Sequence, residues 1–315
     1  MNVLDVQGLT VAYRSEGRTV VGADDVSFTI GAGEVFGLAG ESGCGKSTLA
    51  NAVMRLLKEP AEITAGRVLF QGRDVLAMDE RELRAFRWRE IAMVFQSAMN
   101  SLNPVLTVGE QIADIFTTHE KLRKRAARDR AGELLGLVGI SPDRLRAYPH
   151  QLSGGMRQRV VIAMAVALRP RLLIMDEPTT ALDVVVQQEI MAQIAELRRE
   201  LGFSVLFITH DMSLMVEMSH RMGVMYGGRI VELAPARDLF AHPRHPYTEA
   251  LMRAFPPLTG PRATLTGLFD APRTADSCGF HLACPADRSD CSGNIPDLRE
   301  LAPGHWAALT EGATA

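Results

Sequence analysis

The chain has 315 residues, of which 47% are hydrophobic and 23% charged, with a formal net charge of −3. That length suits about two domains with ample core, and the near-neutral balance gives no support for a general electrostatic nucleic-acid binder. No run of about 18 apolar residues is present to span a membrane, and Met1–Asp5 lacks a charged segment followed by an apolar one. A cytosolic chain without a signal peptide is therefore expected, and its four cysteines are not read as a disulfide framework.

Residues 3–12 alternate Val3, Leu4, Val6, Leu9 and Val11 with polar positions, and residues 18–30 do the same with Val20, Val21, Val26, Phe28 and Ile30. Both patterns predict antiparallel strands, joined around Ser15-Glu16-Gly17. Tyr13 closes the first strand and has two readings, a packing aromatic or a platform on which a purine ring stacks.

The apolar run Val35–Ala39 predicts a buried strand, and residues 48–57 carry the helical spacing of Leu49, Val53, Leu56 and Leu57. Between them stands Gly40-Glu41-Ser42-Gly43-Cys44-Gly45-Lys46-Ser47-Thr48, which matches the phosphate-binding loop G-x-x-x-x-G-K-[ST] in its required strand–loop–helix setting. Glycines let backbone N–H groups turn inward on a phosphate, and the helix N-terminus adds its dipole. Lys46 would reach the β- and γ-phosphates, and the Ser47 hydroxyl would ligate Mg²⁺.

A strand is expected at 66–70, a turn at Gln71-Gly72, a helix over 79–90 and a buried strand over Ile91–Phe95. Gln96 follows at the strand's carboxyl end, where open α/β sheets bind ligands. Ser101-Leu102-Asn103-Pro104 is a loop, and residues 108–117 and 121–138 have helical patterns. The basic run Lys121–Arg125 is interleaved with Glu120, Asp129 and Glu133 and reads as a solvated helix face. Leu152-Ser153-Gly154-Gly155 leads into a helix with apolar Val160, Val161, Met164, Ala165 and Leu168, stopped by Pro170. A Ser-Gly-Gly at a helix start is a second place for an anion, or a serine cap with flexible glycines.

Leu172-Leu173-Ile174-Met175-Asp176 is an apolar strand ending in a carboxylate, followed at once by Glu177. In this Walker B form, Asp176 would hold the Mg²⁺ shell and Glu177 would act as general base on water. Ala181-Leu182-Asp183, a helix over 184–201 and a strand over 204–209 follow, with His210 at the strand's end.

Gly40–Ser47, Gln96, Leu152–Gly155, Asp176–Glu177 and His210 lie in the order and spacing of an ABC-type ATPase, which the chain resembles from about residue 3 to 235. The signature Leu152–Gly155 separates that family from other phosphate-loop proteins. The resemblance implies an α/β fold. It has a P-loop (RecA-like) core, an antiparallel β subdomain, a helical insertion and a loop-rich C-terminal extension. The expected boundaries are 1–96, 97–158, 159–235 and 236–315. It also implies that two such subunits pair head to tail. Each signature then completes the partner's ATP site, with Asp183 in the D-loop. In that scheme Tyr13 stacks on adenine, Gln96 is catalytic, touches Mg²⁺ and links to the permease, and His210 senses the γ-phosphate.

Phe95-Gln96, Ser101–Pro104 and His245-Pro246-Tyr247-Thr248-Glu249-Ala250-Leu251 narrow the resemblance to importers of oligopeptides, dipeptides and nickel. So does Cys278-Gly279-Phe280-His281-Leu282-Ala283-Cys284-Pro285. The implied assembly has a second ABC ATPase, copy or paralogue, and two transmembrane permeases on whose cytoplasmic face the chain sits peripherally. An extracytoplasmic solute-binding protein takes part indirectly, and nucleic acid takes no part. Some relatives hold a [4Fe–4S] cluster on such cysteines, yet Leu309 stands where a fourth cysteine is expected. Three readings stay open for Cys278, Cys284 and Cys291: a Cys₃His set with His281 or His305, suited to Zn²⁺, a cluster with a non-cysteine or open fourth site, and reduced free thiols. Two rival readings are a soluble ABC ATPase of DNA repair or translation, disfavoured by the single cassette without sustained heptads, and a regulatory cassette without turnover, disfavoured by Glu177 and His210.

Overall fold

The computed structural model describes residues 1–15, 17–95, 101–179, 182–254 and 295–309. They divide into two compact units, one of Met1, Gly31–Glu34 and Ala77–Leu206, the other of Asn2–Ile30, Val35–Leu76 and Phe207–Ala315.

The second of these units opens with β1 (Asn2–Ser15) and β2 (Arg18–Gly31); Val3, Leu4, Val6, Leu9 and Val11 of β1 and Val26, Phe28 and Ile30 of β2 are buried as expected, whereas Val20 and Val21 are exposed. β3 (Val35–Ala39) is buried throughout, and α1 (Lys46–Val53) follows the glycine loop. α1 stops at Val53 because Arg55 takes a left-handed φ of 50°, so Leu56 and Leu57 fall outside the helix that their spacing suggests. β4 (Ala61–Phe70) is twice the expected length and pairs antiparallel with β1, Val6 facing Val68 and Tyr13 facing Ala61. Its first half, Ala-Glu-Ile-Thr-Ala, buries little and is held by main-chain pairing, so it leaves no hydrophobic alternation to read. β5 (Arg73–Asp74) completes a sheet ordered β2-β1-β4-β5.

The other unit begins with α2 (Glu80–Phe86), whose Asp79 and Glu82 form a capping box. β6 (Ile91–Val94) precedes the helical stretch α3 (Val108–His119), α4 (Lys124–Leu137) and α5 (Gly154–Val166). Thr107 and Glu110 cap α3, and Lys121, at φ 59°, turns the chain between α3 and α4. β7 (Leu172–Asp176) runs parallel to β6, Ile91 opposite Leu172 and Val94 opposite Met175. α6 (Val184–Leu201) ends at Gly202, which adopts the left-handed conformation of a helix stop.

β8 (Ser204–Ile208) carries the chain back to the unit holding the glycine loop. There follow α7 (Met212–Met218), β9 (Arg221–Tyr226), β10 (Arg229–Pro235), α8 (Ala236–Ala241) and α9 (Pro246–Ala254). β11 (Arg299–Ala302) and β12 (His305–Ala307) add a hairpin in an extension expected to be loop-rich. β3 pairs parallel with β9, and β9, β10, β12 and β11 continue antiparallel, giving a mixed sheet. Arg229 fastens the returning tail: its guanidinium donates to the Ile295 carbonyl at 2.7 Å and faces Asp24, Asp25 and Asp297.

Candidate functional site

The apolar strand β3 delivers the chain into the glycine loop, and each glycine there has its own reason. Gly40 has φ 143°, and a Cβ on it would lie 2.2 Å from the Met225 carbonyl oxygen. A Cβ on Gly45, φ 111°, would lie 2.0 Å from the Gly22 carbonyl oxygen. Gly43, φ 78°, opens onto free space, with nothing within 4 Å of an added Cβ. Gly45 is the N-cap of α1 with no side-chain cap, so the first N–H groups of the helix remain available to an anion.

Lys46 is buried, and its ammonium donates to the carbonyls of Gly40 and Glu41, both at 2.7 Å, with Cys44 Sγ at 3.5 Å. These partners offset the burial of a cation. Ser42 and Ser47 are exposed, and Cys44 is buried. Tyr13 lies at the same loop: its hydroxyl and Thr48 Oγ1 are 2.7 Å apart, and its ring packs against Gly22, where a Cβ would come within 2.6 Å of Cε2. The glycine loop, the uncapped start of α1 and the Lys46 ammonium lie together, with the Tyr13 ring beside them. That set suits a nucleotide's phosphates and base.

In the other unit Asp176 is buried at the end of β7. Glu177 has φ 48°, a left-handed conformation that costs a non-glycine residue about 1 kcal/mol or more and recurs at functional sites. Leu152 is buried, while Ser153 Oγ accepts the Met156 N–H at 3.3 Å and caps α5. The serine is thus a cap, as one reading of Ser-Gly-Gly has it. Asp183 caps α6 by accepting the Val186 N–H. The start of α5 approaches the start of α6 here, because a Cβ on Gly155 would lie 2.8 Å from Val186 Cγ1. Gly154 opens α5. His210 is exposed at the end of β8, just before Asp211, which caps α7.

Gln96, Cys278, Cys284, Cys291 and His281 lie outside the described residues. His305, weighed as a nitrogen ligand, is buried with Nε2 2.7 Å from Glu232 Oε1. Among the described residues no group of three or more His, Cys, Asp and Glu is placed to hold a metal ion. Two residues have tasks that the sequence reading did not assign. Buried Gln111 holds the 103–107 loop, accepting the Asn103 N–H and donating to the carbonyls of Asn103 and Leu106. Tyr247 reaches the phosphate loop from α9, its hydroxyl accepting the Glu41 N–H at 3.1 Å. A glutamine in an amphipathic helix and a tyrosine after proline give no local hint of either task.

Comparison with known proteins bears on the whole chain. Residues 23–180 match the ABC transporter family model, and residues 231–291 match the C-terminal region of oligopeptide/dipeptide transporters. A probable peptide ABC transporter ATP-binding protein of Sinorhizobium fredii is 45% identical over 97% of this chain and 94% of its own length. The dipeptide transport ATP-binding protein DppD of Bacillus subtilis is 44% identical over 93% of this chain and 90% of its own. Its Escherichia coli counterpart is 42% identical, with 96% of this chain and 95% of its own covered. Among solved structures, the dimeric post-hydrolysis ATP-binding cassette MJ0796 bound to ADP and Pi superposes with a TM-score of 0.66 at 30% identity, covering 74% of this chain and 99% of that one. The cassette cbiO1 of Clostridium perfringens, part of the transporter complex cbiONQ, has the same TM-score at 29% identity, covering 76% of this chain and 91% of its own. With a phosphate loop of this geometry and relatives of this likeness along nearly its full length, the chain belongs to the ABC transporter family as an ATP-binding subunit of the oligopeptide/dipeptide type.

Proposed function

We propose that this chain hydrolyses ATP to power the import of peptides through a multi-subunit transporter. The observation that carries the reading is the complete phosphate loop, with Lys46 held at its centre, in a chain whose relatives are named as dipeptide transport ATP-binding proteins over nearly their whole length. Mg²⁺ suits the donors available: Ser47 offers an exposed hydroxyl at the loop, and Asp176 offers a carboxylate at a strand end. When bound, the metal neutralises phosphate charge as it develops. Gln96 is assigned to the same metal shell on the family resemblance.

The residues then divide the work. Tyr13 stacks on the adenine. The amides of Gly40–Thr48 cradle the phosphates, and Lys46 exchanges its loop carbonyls for phosphate oxygens. Glu177 accepts a proton from the attacking water, and His210 contacts the γ-phosphate. Leu152–Gly155 and Asp183 serve the nucleotide of a second ATPase subunit, copy or paralogue. On this reading the helical insertion runs over 97–158 between core segments 1–96 and 159–235, with the importer-type extension at 236–315.

No helix among the described residues is long and apolar enough to cross a membrane. Two permeases then supply the passage, with the chain peripheral on their cytoplasmic face and a solute-binding protein delivering cargo. Cys278, Cys284 and Cys291 are assigned to a zinc or iron–sulfur site in the extension. Stoichiometric iron or zinc in anaerobically purified protein supports that assignment, and three titratable thiols without metal sink it.

The test of the main reading is uptake of a labelled dipeptide by a host lacking its own importer, supplied with this chain, its second ATPase, its permeases and its binding protein. Uptake should require ATP and should vanish with Lys46→Ala. Normal dipeptide uptake by that variant, or uptake of another solute class in its place, would overturn it.

A further inference from the structure

The phosphate loop is braced from the far end of the chain. Glu232, on β10, is fully buried, and its carboxyl group accepts three N–H donors. Arg244 N–H lies 2.7 Å from Oε1, His245 N–H 2.9 Å from Oε2, and His305 Nε2–H 2.7 Å from Oε1. The first two fix the corner at which the chain enters α9, and the third comes from β12, paired to β10 with Ala307 opposite Glu232. A buried carboxylate is tolerable only when its acceptor positions are met in this way. The corner therefore has one geometry.

His245 passes that geometry on. Its Nδ1 accepts the Tyr247 N–H at 3.1 Å, with Pro246 at the first helical position, so the histidine caps α9. Tyr247, 1% exposed, packs its ring on Tyr226 with centroids 4.4 Å apart. Its hydroxyl accepts the Glu41 N–H at 3.1 Å. The Glu41 carbonyl in turn accepts the Lys46 ammonium. Three residues after Glu41 the same loop is held again, the Gly228 N–H donating to the Cys44 carbonyl at 3.1 Å. The loop's outer side is thus anchored at two peptides, both by groups from the chain's C-terminal part.

Resting on the reading of Gly40–Thr48 as the ATP site, we infer that Tyr247 is a positioning residue for the phosphate loop. The C-terminal extension, through His245 and His305 and the β10 carboxylate of Glu232 that both engage, sets how tightly ATP is held. A loop that wraps phosphate with its amides loses affinity when one of its peptides is free to rotate, because the ordering must then be done on binding. Tyr247 touches no substrate; it acts by fixing Glu41, and through Glu41 the resting position of Lys46.

The test compares the full chain with Tyr247→Phe, which keeps the ring and removes the oxygen. ATP binding is followed with a fluorescent ATP analogue, and amide hydrogen exchange is read on the peptide containing Glu41. The variant should bind about fivefold more weakly, as the loss of one neutral hydrogen bond implies. It should also exchange faster at Glu41 while the rest of the sheet stays protected. Thr248→Val, which removes a fully buried hydroxyl one residue further on, should leave ATP affinity unchanged, separating positioning from a general softening of α9. Affinity within twofold of wild type in folded Tyr247→Phe, or equal losses in both variants, would overturn the inference. Lys46→Ala separates the two levels: if it binds the analogue like wild type, the ATP-site reading fails, and the inference falls with it.

Discussion

His245 makes acid a specific probe of the brace behind the phosphate loop. Burial pushes its pKa down from 6.5 to about 4, and its Nδ1 is an acceptor, so the fold requires the neutral ring. In the unfolded chain the ring takes up a proton as pH falls through 6.5; in the fold it resists until about pH 4. The unfolded state therefore binds more protons throughout that window. The contribution is complete above the unfolded pKa and is lost as pH falls toward the folded one. At 1.36 kcal/mol per unit, the loss between about pH 7.5 and about pH 5 is about 2 kcal/mol, rising to about 3 kcal/mol near pH 4. Glu232 and His305 face His245 across the corner, so the assay must isolate His245. In His245→Asn the amide oxygen can still accept the Tyr247 N–H, as asparagine does when it caps a helix, and nothing at that position titrates. Denaturant unfolding of both proteins at several pH values gives the comparison. The variant starts less stable because a buried ring is lost, so the slopes decide. Wild type should lose about 2 kcal/mol more than His245→Asn between those two pH values. Equal slopes would refute the reasoning and would mean that the ring is protonated in the fold or exposed to water.

Three further outcomes follow from the site. Glu177→Gln should keep ATP binding and lose turnover by on the order of 10² to 10⁴, read as ATPase activity of the assembled transporter; wild-type turnover would remove Glu177 from the role of base. Gly22→Ala places a Cβ 2.6 Å from Tyr13 Cε2 and must displace the ring, so affinity for ATP should fall about threefold to tenfold, the scale of one aromatic contact. Combined with Tyr13→Ala it should add nothing, and additive losses in calorimetric titration would break the link between the two residues. Ser153→Arg should leave ATP binding to the isolated chain unchanged while turnover of the paired ATPases drops on the order of 10²; parallel loss of binding in the monomer would place the signature in the chain's own site.

What could be read from the sequence was local. The loop Gly40–Thr48 announces itself because several demands fall within nine consecutive residues: left-handed backbone at Gly43, close approach at Gly40 and Gly45, and a helix start at Lys46. The strand ending at Ala39 and the four residues leading to Asp176 are buried and carry no charged side chain, so they too carry their own signal. Helix ends were harder. Arg55 takes a left-handed turn that neither its identity nor the spacing of Leu56 and Leu57 foretells. The first half of β4 was missed because pairing with β1, not burial, holds it.

The contacts that shape the loop are of a different kind, since each joins residues far apart in sequence. Thr48 meets Tyr13 from 35 residues away, and Glu41 meets Tyr247 from 206. No periodicity links such partners, and a side chain that supports a loop from behind has no residue type of its own. Steric limits point the same way. The Gly45 requirement is set by the carbonyl of Gly22, and that of Gly40 by the carbonyl of Met225. A loop motif alone therefore specifies which residues can bind phosphate, whereas β2, β9 and the entry to α9 specify the conformation in which they wait. This is why a substitution in the C-terminal extension, where sequence shows no nucleotide chemistry, should register as a change in ATP affinity.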